Sequence, residues 1–165
     1  MKEEKLILDV CCGGRMFWFD KKNPNALFLD RRTVQPMMVG KGKNARIFSC
    51  LPDKVMDFRQ LDIPSRSFKL VVFDPPHLNS LGHSGKSYMA QKYGALDKNW
   101  REDIKKGFAE CFRVLKKNGV LIFKWNEHDI PLKEILKLTP ERPLFGHPSG
   151  KASKTHWVCF MKLSN

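Results

Sequence analysis

Apolar positions along the chain fall into short runs, and the spacing inside them switches between strand-like and helix-like. Leu6-Ile7-Leu8-Asp9-Val10 is a compact apolar run that enters Cys11-Cys12-Gly13-Gly14, which predicts a strand ending in a tight glycine turn. Arg15-Met16-Phe17-Trp18-Phe19 then predicts a helical segment. A second strand is predicted over Ala26-Leu27-Phe28-Leu29, ending at Asp30. Residues 35–50 show no decisive period, because two glycines and three basic residues interrupt them, and Ile47-Phe48 fits a weak strand or none. Lys54-Val55-Met56-Asp57 predicts another short strand, and residues 67–73 form the strongest strand signal in the chain.

Residues 79–98 mix Gly82, Ser84, Gly85, Ser87 and Gly94 with lysines and two tyrosines, which predicts a long substrate-binding loop. From 99 to 115 the apolar residues Trp100, Ile104, Phe108, Cys111, Phe112 and Leu115 recur at helical spacing. Lys116-Lys117-Asn118-Gly119 reads as the end of that helix, with cations at its C-terminus and a glycine stop. Val120 to Trp125 is a strand, Pro131 opens a short helix to Leu138, and residues 155–162 are a last strand. Strands alternating with helices predict an α/β fold with a mostly parallel sheet covered on both faces. The length of 165 residues suits one domain, 1–165, with no separate target-recognition domain.

Composition narrows the partners. Thirty basic residues against seventeen acidic ones give a formal charge of +13, spread along the chain rather than held in a tail. Such a balance suits a polyanion, since each neutralised phosphate releases condensed counterions. Arg31, Arg32, Lys41, Lys43 and Arg46 form one stretch without an acid, and Lys86, Lys92, Lys98, Arg101, Lys105 and Lys106 a second. Five cysteines, two of them adjacent, lack zinc-site spacing, so no metal is expected. Neither a membrane-length apolar segment nor a signal-peptide pattern is seen, and a cytoplasmic location is the expectation.

The most informative group is Asp74-Pro75-Pro76-His77, directly after Leu70-Val71-Val72-Phe73. It sets a carboxylate and two rigid carbonyls at the tip of a buried strand, where open α/β sheets bind ligands. Proline fixes φ and restrains the residue before it, so these oxygens have a preset geometry suited to an amine donor. An ordinary strand-ending turn is the alternative that the tetrapeptide alone leaves open.

Together with Leu8-Asp9-Val10-Cys11-Cys12-Gly13-Gly14, Asp30, and Asp57-Phe58-Arg59-Gln60-Leu61, this group resembles the class I S-adenosylmethionine-dependent methyltransferases, in the order usual for that family. The resemblance implies a Rossmann-like, seven-stranded, mostly parallel sheet with helices on both faces. It implies S-adenosylmethionine as cofactor, with S-adenosylhomocysteine as product. Asp9, Cys11, Cys12 and Gly13 would form the cofactor loop, although Cys11 stands where the family has a glycine. Asp30 would meet the ribose hydroxyls, Asp57 and Phe58 the adenine, and Asp74 would border the cofactor. The Asp-Pro-Pro-His group is similar to the motif of enzymes that methylate amino nitrogens. Asp74, Pro75, Pro76 and His77 would then be catalytic, with His77 in the place of a stacking aromatic.

The function this implies is methylation of an exocyclic amine in nucleic acid, first of all adenine N6. DNA and RNA both stay open, as does a homodimer or a partner subunit that would help recognise the target. His77, Lys86, Lys92, Arg31 and Arg32 are the expected substrate contacts. Two further readings are a protein glutamine or small-amine N-methyltransferase, and a non-catalytic nucleic-acid-binding protein on the same fold.

Overall fold

The computed structural model describes residues 4–79, 94–148 and 153–163. Its centre is a seven-stranded sheet built from β1 (Ile7–Asp9), β2 (Ala26–Asp30), β5 (Lys54–Val55), β6 (Phe68–Phe73), β7 (Leu115–Asn126), β8 (Phe145–Pro148) and β9 (Thr155–Met161). The strand order is β5-β2-β1-β6-β7-β9-β8. Pairings from β5 through β7 are parallel, while β9 runs antiparallel to β7 and β8 antiparallel to β9. The chain leaves β1 toward β2 and β5, then crosses back to β6 on the other side of β1. That reversal makes the β1–β6 boundary a topological switch point, and a crevice opens at the carboxyl ends there.

Alternation along the strands sends Leu8, Val71, Leu121, Phe123 and Phe160 into one large core. Helix α1 (Trp100–Val114) covers it with Ile104, Phe108, Cys111 and Phe112, and the short helix α2 (Leu132–Leu136) adds Ile135. The aromatic centre is tight: Phe108 lies 5.5 Å from Phe73 and 4.9 Å from Phe123 between ring centroids. Gly107 permits this approach, since a Cβ there would stand 2.5 Å from Phe73 Cζ and 2.8 Å from the Phe58 ring. Both described helices therefore pack into one core on one face of the sheet.

The opposite face is closed differently. Residues 15–19, where a helix was expected, form turns. Arg15 takes a φ of 52°, which a helix does not tolerate, and its guanidinium lies 3.8 Å from the Phe28 ring centroid. Trp18 sits edge-on to Phe28 at 4.8 Å and donates from Nε1 to Asp9 Oδ2 at 2.8 Å. The loop thus lies flat on Cys12, Ala26 and Phe28 and spends its side chains on the sheet rather than on helical turns.

Two other expectations are revised. Residues 34–50 form an antiparallel hairpin, β3 (Val34–Val39) and β4 (Arg46–Cys50), joined through a 3-10 turn at Gly42–Asn44. Helix α1 stops at Val114, five residues before the expected stop at Gly119, because Leu115 already pairs with Phe68 at the start of β7. Gly119 serves close packing instead, since a Cβ would come within 3.0 Å of Lys69 O.

Asp9 is fully buried, and burial pushes its carboxyl up to about 7 against the hydrogen bonds from Trp18 and the Cys11 N–H. An unfolded aspartate titrates near 3.9. The folded chain therefore keeps a proton that the unfolded chain loses, and stability from this group falls as pH rises from about 4 to about 7. Trp18→Phe removes a donor to the charged form. We expect its melting temperature to fall more at pH 8 than at pH 5.5, with a loss of about 2 kcal/mol at the higher pH; equal losses at both values would disprove the coupling.

Candidate active site

The crevice is built from strand ends. At β1 the chain turns through Cys11 to Gly14, and Gly13 adopts a φ of 48°. Its N–H donates to Asp30 Oδ2 at 3.0 Å, across from the end of β2. Asp30 Oδ1 accepts from the Arg32 N–H at 3.0 Å, so the carboxylate is held from both sides and is 5% exposed. A Cβ on Gly14 would lie 3.0 Å from the Phe48 ring and 3.2 Å from Ser49 O. That contact seats the base of the β3–β4 hairpin on the glycine turn.

At the end of β6, Asp74 faces the end of β7. Lys124 Nζ donates to Asp74 Oδ2 at 2.8 Å, and Oδ1 has no hydrogen-bond partner among the described residues. Burial raises the Asp74 carboxyl, and the Lys124 ammonium opposes it by charge and hydrogen bond. The ammonium itself lies 5.4 Å from the Phe17 ring centroid and 5.7 Å from that of Trp157. His77 sits edge-on to Trp125 at 6.4 Å. Burial, with the Lys124 charge, lowers its imidazole to about 4, so at neutral pH the ring is uncharged.

These groups share one cavity of about 340 Å³. Cys11, Cys12, Gly13, Asp30, Phe58, Asp74, Pro75, Pro76 and His77 all line it, as do Arg31 and Arg32. Asp9 lies beneath the turn, accepting from the Cys11 N–H at 3.2 Å. Asp57 is outside the lining and is closed by Arg59, which donates to Oδ1 at 2.9 Å and to Oδ2 at 2.6 Å. Lys86, Lys92 and most of the 79–98 loop lie outside the described residues. Gly94, at the far end of that loop, is within reach of Pro76 and Arg32: a Cβ there would be 3.3 Å from Pro76 Cγ and 3.6 Å from Arg32 Cζ.

Lys124, Phe17, Asn126 and Thr155 are lining residues that the sequence reading missed. A signal for Lys124 existed, since it interrupts the apolar run Val120 to Trp125 and a cation inside a buried strand needs a partner. Cys12, Asp30 and Cys50 bring ligand-type atoms within 4.8 Å of one another. Their thiols are turned to carbonyls instead, Cys12 to Gly13 O and Cys50 to Arg32 O.

No family model and no curated protein matches this chain. Among solved structures it is similar to a SAM-dependent methyltransferase from Methanosarcina mazei, at 14% identity and a TM-score of 0.59, over 100% of this chain and 95% of that one. It is also similar to the PH0226 protein of Pyrococcus horikoshii OT3, at 14% identity and a TM-score of 0.57, over 98% of this chain and 84% of that one. The chain has the Rossmann-like methyltransferase fold. Among the described residues no helix is long and apolar enough to cross a membrane.

The ion pair has a direct test. In Lys124→Met the Asp74 carboxyl should titrate at higher pH than in the parent, followed by carboxyl carbon NMR, because an opposing cation is gone. Lys124→Arg should hold the titration near its parental position. An unmoved titration in the methionine variant would show that Lys124 does not govern the charge of Asp74.

Proposed function

We propose that this protein is an S-adenosylmethionine-dependent N-methyltransferase acting on an exocyclic amino group of a nucleic-acid base, adenine N6 first of all. The observation that carries the reading is the meeting, in one cavity, of the glycine turn and Asp30 with Asp74-Pro75-Pro76-His77. The volume of about 340 Å³ falls at the lower end of small-ligand sites, roughly 300–1,000 Å³.

The residues present fit the cofactor. Cys11 to Gly14 form an open backbone turn, and nothing lies within 4 Å of a Cβ position on Gly13. Asp30, already held by Gly13 and Arg32, retains lone pairs for a pair of ribose hydroxyls. Phe58 offers a flat apolar wall in the same cavity. When bound, S-adenosylmethionine supplies an activated methyl group.

The chain's own residues would then act on the acceptor. Asp74 Oδ1 is the acceptor for an amine N–H, because Lys124 holds Oδ2. The Pro75 carbonyl, fixed by the following proline, is the second acceptor, and two acceptors orient the nitrogen lone pair. An amine that gains a methyl must lose a proton, and an ionised Asp74 is the base placed to take it. The Lys124 ammonium favours the ionised form of that carboxylate, opposing the effect of burial. Neutral His77 offers a π face or a hydrogen bond to the base rather than a charge. A protein glutamine or a small amine would satisfy the same acceptors; the charge of +13 favours the polyanion.

Mass spectrometry of nucleosides from DNA and RNA after incubation with the cofactor reads polymer and atom together. Methylated adenine N6 is the expected product, whereas label confined to protein, to a small amine or to a ribose hydroxyl would reject the substrate assignment. Asp30→Ala should weaken S-adenosylmethionine binding by about 1–3 kcal/mol in calorimetry. Asp74→Ala should abolish transfer while largely keeping cofactor binding, and full turnover in that variant would rule out the mechanism.

A further inference from the structure

The hairpin β3–β4 follows β2 in the chain as a separate two-stranded sheet, and nearly all its surface is open. Residues 35–38 and 40–47 are exposed, while Val39, Phe48 and Cys50 form a small core along one face of the hairpin. Phe48 lines the cavity, and Arg31 and Arg32, just before β3, line it too. The hairpin therefore starts at the rim of the candidate active site. Phe48 pairs with Met37, so at about 3.4 Å per residue the turn at residues 40–45 lies about 10 Å further along the hairpin.

Charge on this arm has one sign. From Arg31 to Pro52 there is no aspartate or glutamate, and the tip carries Lys41, Lys43 and Arg46. None of these three makes an ion pair or side-chain hydrogen bond among the described residues. Arg15, Arg59, Arg113 and Lys124, in contrast, are each matched to a carboxylate within the fold. The tip cations are also held in a defined turn. Asn44 N–H donates to Lys41 O at 3.2 Å, Ala45 N–H to Gly42 O at 3.0 Å, and Gly40 at a φ of 83° leaves no room for a Cβ beside Asn44 O.

One face of the arm is apolar as well. Met38 pairs directly with Ile47, and they are 65% and 72% exposed, on the side opposite Val39 and Phe48. A two-stranded ribbon of this kind matches a nucleic-acid groove in width. Cations at its end can follow the phosphates while an apolar face meets sugar and base edges. Pro36 removes a donor from β3, which works against pairing of that strand with a second chain.

We propose that the β3–β4 hairpin is the nucleic-acid-gripping arm of this domain, with Lys41, Lys43 and Arg46 on the phosphate backbone flanking the target and Met38–Ile47 against the groove. The inference rests on the nucleic-acid reading of the site. It supplies a recognition element beside the candidate active site. The shared chemistry is a phosphate backbone, and the polymer is identified by the arms of the test.

The test uses the full chain and three labelled probes of about 20 nucleotides: a DNA duplex, an RNA stem-loop and a single strand. Affinity is measured against salt for the parent, for the triple variant Lys41→Ser, Lys43→Ser, Arg46→Ser, and for a control triple, Arg66→Ser, Lys69→Ser, Lys117→Ser, at the opposite edge of the sheet. The hairpin triple should lower the salt slope by about 2 to 3 units and affinity at least tenfold on the preferred probe. Its melting temperature and S-adenosylmethionine affinity should stay near the parent's, and the control triple should change the slope by less than one unit. Should the triple fail to fold, Lys43→Ser alone gives the same test at about one unit of slope. Equal losses in the two triples, or an unchanged slope in the hairpin triple, would overturn the arm and leave the substrate reading standing. A parent that binds none of the probes would overturn the nucleic-acid reading itself. A parental dimer dissociated by Met38→Ser, Ile47→Ser, with probe binding intact, would make the hairpin a self-association surface and reject the proposal.

Discussion

Parallel pairing of β1 between β2 and β6 brings three carboxylates, Asp30, Asp9 and Asp74, to one edge of the sheet. The register Asp9↔Phe28 and Asp9↔Val72 sets these strand ends side by side. Asp9 is withdrawn from water altogether, and the charges of Asp74 and Asp30 add to the cost of charging it. The surrounding structure answers that constraint acid by acid. Asp9 receives an indole N–H and a backbone N–H, Asp30 receives two backbone N–H groups and the Arg32 guanidinium, and Asp74 receives an ammonium. Loop 10–25, the glycine turn and Lys124 are arranged as they are because those donors must reach this edge.

Coverage of the sheet follows the same logic. A helix over residues 15–19 is closed off by the φ of 52° at Arg15, which instead lays its guanidinium, with the Trp18 ring, against Phe28. The observed turns keep them together on the sheet and deliver Trp18 Nε1 to Asp9. On the opposite face, bulky aromatic packing needs a close helix, and Gly107 permits it. One face is thus stabilised mainly by apolar burial, and the other by a loop whose polar contacts also shape the site.

The cavity that results is asymmetric. Its Asp30 end combines a glycine turn and backbone donors with Arg32, Phe48 and Phe58, while its Asp74 end is built from side chains of four segments, including Phe17, Lys124 and Thr155. Rigid backbone suits a constant ligand, and side chains suit a variable one. The β3–β4 hairpin joins the two regions to solvent, with a buried foot at Phe48 and an exposed basic tip.

The sequence by itself determined the strands that end in chemistry and the one long helix. Apolar runs leading into Asp9, Asp30 and Asp74 are local patterns, and a run that ends in Gly-Gly or Pro-Pro has few conformations open to it. The period of residues 99–115 was equally explicit, because α1 buries a single face. Tertiary structure decided the rest. Arg59 lies two residues from Asp57, yet only the folded loop shows it closing that carboxylate away from the cavity. Asp74 and Lys124 are fifty residues apart, and their contact exists only because β6 and β7 are neighbours in register. The glycine near the end of α1 read as a stop by local rules, but pairing of Leu115 with Phe68 ended the helix first. Residues 34–50 carried too little periodicity to declare a hairpin, since most of their side chains face solvent, and backbone pairing formed it. Local pattern reports which residues must be buried; only long-range pairing reports which of them meet.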